Sequence, residues 1–424
     1  MAKKHEKKEV KPHITRRQLS RHRRQQRIQH IIYITGAVFL ASIICFIGYG
    51  FWDAQIRPFR QPVAKINGTT YDMGYYLKML DLYSKGQDAT QTMSTANNLI
   101  QVMEYNQALN KAAPELGITV SSDEINNVLK AASLPDEKVN RDAAAAVLLT
   151  NKLKVDYFDK EVPTSIEQAH TQALLVESTD IAEKAAARLS ATDNFTALAN
   201  EFSLEPITKQ YGGDLGWLPK GYTNILLGNL GNSKLKDIPF TLEPGVLSQP
   251  TFDGVVKKSL GYWVVQVTEK DPTRGSHVRG ILTGSRHDAD AIRAKIVAGE
   301  DFATLVKTYS QDTANSDNVG DMGWTQEGAI TSRLVLGLAM PLDTGAVSQP
   351  AADSSVATVG GFWLIRVLEK DENRVLDDTT RQAITTGLFE NWITDKMKND
   401  SVETIITEDK KAWAIDIVNK SRGQ

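Results

Sequence analysis

The sequence repeats itself over a long period. YGGDLGW at residues 211–217 returns as VGDMGW at residues 319–324, and GVLSQP ending at Pro250 returns as GAVSQP ending at Pro350. GYWVVQVTEKD from Gly261 returns as GFWLIRVLEKD from Gly361. Asp214 and Asp321 stand 107 residues apart, as do His170 and His277, whereas Trp263 and Trp363 stand 100 apart. A unit of that size is a whole domain, several times longer than solenoid units of roughly 20–50 residues. The chain is therefore expected to hold two tandem copies of one fold, at residues 166–272 and 273–372.

Each copy alternates between strand and helix patterns. AHTQALLV reads as a strand, IAEKAAARLSA and FTALANEF place apolar residues at helical spacing, GGDLGW is a turn, and YWVVQVTE alternates like a closing strand. Copy two runs HVRGILT, ADAIRAKIVAG, FATLVKTY, GDMGW and FWLIRVLE in the same order. This order predicts an α+β domain in which an antiparallel sheet is covered by helices.

Ahead of the repeats the chain changes character. Residues 1–30 carry eleven Lys and Arg against Glu6 and Glu9, and residues 31–52 are free of charge. As a helix those 22 residues reach about 33 Å, enough to cross a bilayer core. With the cations all on the N-terminal side, the reading is one transmembrane anchor with a cytoplasmic tail and with residues 53–424 outside the cell membrane. No A-x-A cleavage site follows the apolar run, so the anchor is taken as uncleaved. The tail, which has no aromatic residue before Tyr33, is read as facing anionic lipid and not nucleic acid.

Cysteine and histidine usage narrows the chemistry. Cys45 is the single cysteine, which excludes intrachain disulfides, a CxxC redox pair and a thiolate metal cluster. It follows Ile43 and Ile44, which excludes lipoprotein processing and leaves it as a small apolar residue of the anchor. Four of seven histidines lie in the basic tail, leaving His170, His277 and His287. No metal site and no cofactor motif is expected.

The succession FxxLxxxxS, GGDLGW, LxPGxxSxP and GYxxxxV resembles the parvulin family of peptidyl-prolyl cis/trans isomerases, and it occurs twice between residues 166 and 371. The flanks are similar to those of SurA-like and PrsA-like extracytoplasmic foldases: VAKINGTTYDMGYYLKML near Val63, an amphipathic stretch over residues 97–113 and a capping box Ser121-x-x-Glu124. The resemblance implies a mainly helical N-terminal lobe at residues 53–165 and a C-terminal segment, residues 373–424, that packs back on it.

Isomerisation makes and breaks no bond; its obstacle is an amide resonance barrier of about 18–20 kcal/mol. An apolar pocket for the proline ring and polar groups favouring the twisted amide lower it. The resemblance implies two histidines and a Cys or Asp around that amide. The first histidine position is held here by Ala173 and Gly280, the second by Trp263 and Trp363, and the acidic position by Glu205 and Asp312. His170 and His277, three residues before the first position, are read as lying on the other face of the strand. Asp312 and Glu205 are the candidate catalytic residues. Leu215, Phe240, Trp263, Met322, Ile330, Leu334, Met340 and Trp363 are the candidate substrate-binding residues, the tryptophans as core or as ring platforms.

The loops after the first strands, ESTD and GSRHD, lack a basic cluster, so phosphate recognition is not expected. The reading is an anchored isomerase and chaperone with degenerate sites, weakly active at most and strongest in copy two. It would act on unfolded or newly exported polypeptides near the export channel. The alternative is a non-catalytic scaffold that recruits a dedicated envelope partner.

Overall fold

The computed structural model describes residues 33, 35, 37–47, 49, 50, 52–192, 194–230 and 234–422. Its strands are β1 (Pro62–Ile66), β2 (Thr69–Asp72), β3 (Ser165–Val176), β4 (Asp214–Pro219), β5 (Thr251–Lys258), β6 (Gly261–Asp271), β7 (Gly275–Thr283), β8 (Asp321–Trp324), β9 (Ala351–Asp353), β10 (Thr358–Val375) and β11 (Val402–Thr404). The chain divides into two compact units, residues 1–151 with 393–424, and residues 152–392.

The first unit is mainly helical and carries a hairpin. Asn67 and Gly68 both take positive φ, 46° and 83°, as a two-residue turn between β1 and β2 requires. Asp72 then caps the helix Met73–Tyr83 by accepting from Tyr75 N–H. The predicted capping box forms in both directions, with Glu124 N–H donating to Ser121 Oγ and Ser121 N–H to Glu124 Oε2. Val63, Ile66, Tyr76, Leu80, Leu99 and Met103 make a core that takes in Ala414 and Val418 of the C-terminal helix Glu408–Ser421. β11 extends the hairpin, Ala64 opposite Thr404. The C-terminal segment thus returns to the lobe, but later than expected: Leu376 and Ile384 pack with Val162 in the second unit, and the return begins at residue 393.

Of the expected anchor, residues 33, 35, 37–47, 49 and 50 are helical, and their apolar side chains are exposed, Phe46 by 81% and Leu40 by 61%. Residues 31, 32, 34, 36, 48 and 51 and the basic tail lie outside the described residues. Among the described residues no helix is long and apolar enough to cross a membrane.

The second unit holds two antiparallel four-stranded sheets, ordered β4-β3-β10-β5 and β8-β7-β6-β9. Helices Thr179–Thr192 and Phe195–Phe202 pack on the first through Leu174, Val176 and Leu364. Helices Arg286–Val297 and Phe302–Tyr309 pack on the second through Val264 and Ile281. The alternate residues of the same strands build a second apolar layer: Ala173, Leu175, Trp363 and Ile365 in one sheet, Trp263, Val265, Val278 and Leu282 in the other.

The element order within each copy is the expected one, but the closing strands are exchanged. β10, which ends copy two, lies against copy one's β3, with Leu364 opposite Leu174. β6, which ends copy one, lies against copy two's β7, with Val264 opposite Ile281. The boundary at residue 272 divides the repeats in sequence and does not divide the sheets.

Candidate functional site

The face of each sheet away from the first two helices of its copy carries the positions assigned to the amide. At Gly280 the backbone has ordinary φ, but an added Cβ would come within 2.9 Å of Met322 Sδ and 3.2 Å of the Trp263 ring. The indole fills the room that a side chain at residue 280 would need. Trp263 is 4% exposed and donates its N–H to Asp353 Oδ2 at 3.1 Å. Trp363 is fully buried and donates to Asp253 Oδ2 at 2.9 Å. Neither presents a ring face to a groove, which corrects the platform reading: both are core residues with a satisfied polar edge.

The carboxylates differ as much. Glu205 is buried, and its two oxygens accept from Ile207 N–H at 3.0 Å and Thr208 N–H at 2.7 Å. It is the N-cap of the helix Pro206–Gln210, so its catalytic assignment is replaced by a structural one. Asp312 is half-buried in a loop, where Oδ1 accepts from Ala314 N–H at 3.1 Å and Oδ2 from Asn315 Nδ2 at 2.7 Å. That leaves acceptor capacity on each oxygen, since a carboxylate offers about four lone-pair sites.

The apolar candidates are only partly gathered. Met322, Ile330 and Leu334 join the cluster around Trp263, whereas Met340 is 75% exposed. In copy one Leu215 lines a cavity of about 750 Å³ with Ile207, Tyr211, Asp214, Leu226 and Leu227. Phe240 borders a different hollow of about 560 Å³, beside Lys220, Thr223 and Asp237. The helical unit has its own cleft of about 870 Å³, where Leu77, Leu82, Leu134 and Ile417 alternate with Lys85 and Glu137.

One repeated constellation escaped the sequence reading. His170 Nε2 lies 2.9 Å from Asp214 Oδ1, and His277 Nε2 lies 3.2 Å from Asp321 Oδ1. Each aspartate also accepts from the glycine N–H two residues on, Gly216 or Gly323. Each imidazole lies beside the tryptophan ending the turn, at 5.5 Å from Trp217 and 4.9 Å from Trp324 between ring centres. Arg374 and Arg274 cover those indoles at 3.9 and 4.2 Å. The assembly fastens the glycine turn to the first strand, and Ala173 N–H and Gly280 N–H donate to Gly213 and Gly320 in turn. Glycine is required there: Gly213 has φ +85°, and an added Cβ would lie 2.7 Å from the Phe195 ring. The shared offset of 107 residues was the available signal that histidine and aspartate belong together.

Residues 165–271 and 283–369 each match the PPIC-type PPIase domain. The chaperone SurA of Hahella chejuensis is 24% identical over 365 residues, covering 81% of this chain and 74% of that protein. The foldase protein PrsA of Halalkalibacterium halodurans is 27% identical over 186 residues, 43% of this chain and 50% of the relative. The chain spans 57–63% of three further SurA proteins, each 26% identical to it. Among solved structures, PrsA from Bacillus anthracis aligns with 83% of this chain and 98% of its own at 13% identity, with a TM-score of 0.24. The ordered, doubled match to one domain type identifies two tandem parvulin-type peptidyl-prolyl isomerase domains in a chain that is similar to SurA and PrsA proteins.

Proposed function

We propose that the protein is a membrane-anchored extracytoplasmic folding factor that holds unfolded segments of exported proteins and accelerates prolyl isomerisation weakly, in copy two. The observation that carries this reading is the filled amide position. The tryptophans replace polar groups by buried bulk, and Asp312, at the acidic position of copy two, keeps a half-buried carboxylate with acceptor capacity on each oxygen. A charge there favours the twisted amide through its field on the developing dipole.

The amphipathic cleft of the helical unit and the cavity beside Leu215 suit short, weakly specific contacts with extended chain. The exposed apolar helix over residues 37–47, preceded by eleven cations, supports a membrane anchor with the repeats outside. Anchoring raises the concentration of the repeats at emerging chains.

The test combines two assays on residues 53–424. Suppression of aggregation of an unfolded client, together with slow catalysis on a proline peptide, supports the reading. Failure to bind any peptide at millimolar concentration would sink it. Crosslinking in cells separates the scaffold alternative, which calls for one stoichiometric partner in place of many exported clients.

A further inference from the structure

The exchange of β6 and β10 poses a problem of choice. The contacts that receive a closing strand are the same in both copies. Trp363 donates to Asp253 and Trp263 to Asp353; Ile365 N–H donates to Ser248 Oγ at 3.0 Å, and Val265 N–H to Ser348 Oγ at 3.0 Å. Asp253 and Asp353 are repeat equivalents, as are Ser248 and Ser348. If each copy closed on its own strand, every one of these bonds would form again with the equivalent partner. The doubled motifs therefore do not select one arrangement over the other.

One cross-strand position does discriminate. In the exchanged sheets Arg366 stands opposite Gln172 and donates to its Oε1 at 2.8 Å, and Arg279 stands opposite Gln266 and donates to its Oε1 at 2.8 Å. At this facing position each sheet thus holds one arginine and one glutamine. Each arginine also covers an equivalent phenylalanine, Arg366 over Phe195 at 5.4 Å and Arg279 over Phe302 at 4.2 Å. In self-closed copies, repeat equivalence places Gln266 opposite Gln172 and Arg366 opposite Arg279. Two guanidiniums would face each other in one sheet and share one phenylalanine, while the other sheet would have none. Like charges directly opposite each other destabilise a strand pair.

We infer that the pairs Gln172 with Arg366 and Gln266 with Arg279 select strand exchange, so that the two repeats form one interlocked unit and each isomerase-type groove is completed by the other repeat's closing strand. The apolar layer on copy two's β7 is packed by Trp263, a residue of copy one, and that on copy one's β3 by Trp363, a residue of copy two. The crossing is sealed where the hinges pass: Lys258 Nζ donates to the carbonyls of Val359 and Gly360, and Thr358 Oγ1 to that of Leu260. The repeats are thereby obligate partners, a closed exchange inside one chain.

Disulfide reporters in the full chain with Cys45→Ser test this. Ala169 stands opposite Lys370, while Lys270 stands opposite Ser276 in the other sheet. Oxidation is expected to join Ala169→Cys to Lys370→Cys and not to Lys270→Cys. Gln266→Arg with Arg366→Gln makes the self-closed pairs complementary and the exchanged ones not, and is expected to shift the ratio of the two links about tenfold toward Lys270→Cys. Should that chain not fold, Arg366→Gln alone removes the guanidinium clash from the self-closed form, and a several-fold shift in the same direction is expected. A dominant link to Lys270→Cys without the charge substitutions, or a ratio that neither substitution moves, would overturn the inference.

Discussion

Restoring the missing histidine is a direct test of how the amide position is filled. Gly280→His places a side chain where Met322 Sδ lies 2.9 Å and the Trp263 ring 3.2–3.3 Å from the new Cβ. The neighbours are held by a packed sheet, so overpacking should lower stability by about 1–3 kcal/mol. Trp263→His alone removes part of a buried indole and should cost about 3 kcal/mol through the cavity it leaves. The double variant puts one imidazole into the room vacated by the indole, so its loss should fall short of the two single losses added together by about 1 kcal/mol or more. Urea denaturation followed by backbone circular dichroism measures the cycle, and a proline-peptide assay reads whether the two imidazoles raise the rate above that of the unsubstituted chain. A neutral Gly280→His, or strictly additive losses, would refute the view that Trp263 occupies the histidine's room.

Three further outcomes are expected. Trp363→Phe should cost about 1 kcal/mol in denaturation, because Asp253 Oδ2 keeps the Lys234 N–H at 2.8 Å, whereas Trp363→Ala should cost about 3–5 kcal/mol. Burial lowers Lys258 from 10.5 to about 8, so between those values the unfolded chain binds more protons; stability should rise across that window by up to about 3 kcal/mol, and in Lys258→Met the rise should vanish from pH-dependent melting. Asp312→Asn keeps an oxygen for Ala314 N–H and should change stability by less than about 0.5 kcal/mol, while removing the residual isomerase rate of copy two and leaving client holding intact.

The doubled motifs made the fold legible because each has a local physical cause. The Asn67-Gly68 turn, the Ser121 capping box and the glycine turns at Gly213 and Gly320 are written in residues whose conformational demands are nearly unique. The pairing of closing strands was hidden for the same reason. Identical receiving motifs read identically in both copies, and the information lies in one facing pair at which the copies differ in charge, Gln172 against Arg279 and Gln266 against Arg366. The reading of Glu205 missed its burial: Glu205 and Asp312 occupy the same place in the repeat, yet proline follows the first and a polar run, TANSDN, follows the second. Proline at the first helical position turned Glu205 into a cap, a role that the position alone did not announce.

That difference carries the last prediction. Glu205 belongs to a chain of bonds that ends in the sheet: its cap orders Thr208, whose Oγ1 meets Ser203 Oγ at 2.6 Å, and Ser203 Oγ accepts from Leu175 N–H in β3. Copy two keeps the last link, Leu282 N–H to Ser310 Oγ at 3.2 Å, but leaves Asp312 in a loop. Glu205→Ala should therefore lower stability by about 1–2 kcal/mol through the lost cap and leave the isomerase rate of the folded protein unchanged. Asp312→Ala should do the reverse. Rates measured well below the melting transition separate the two roles, since a capping loss then leaves nearly all molecules folded. If Glu205→Ala slowed isomerisation by tenfold or more at full folding, a carboxylate bound to two backbone amides would have to be acting on substrate, and copy one would hold an active site that its packing argues against.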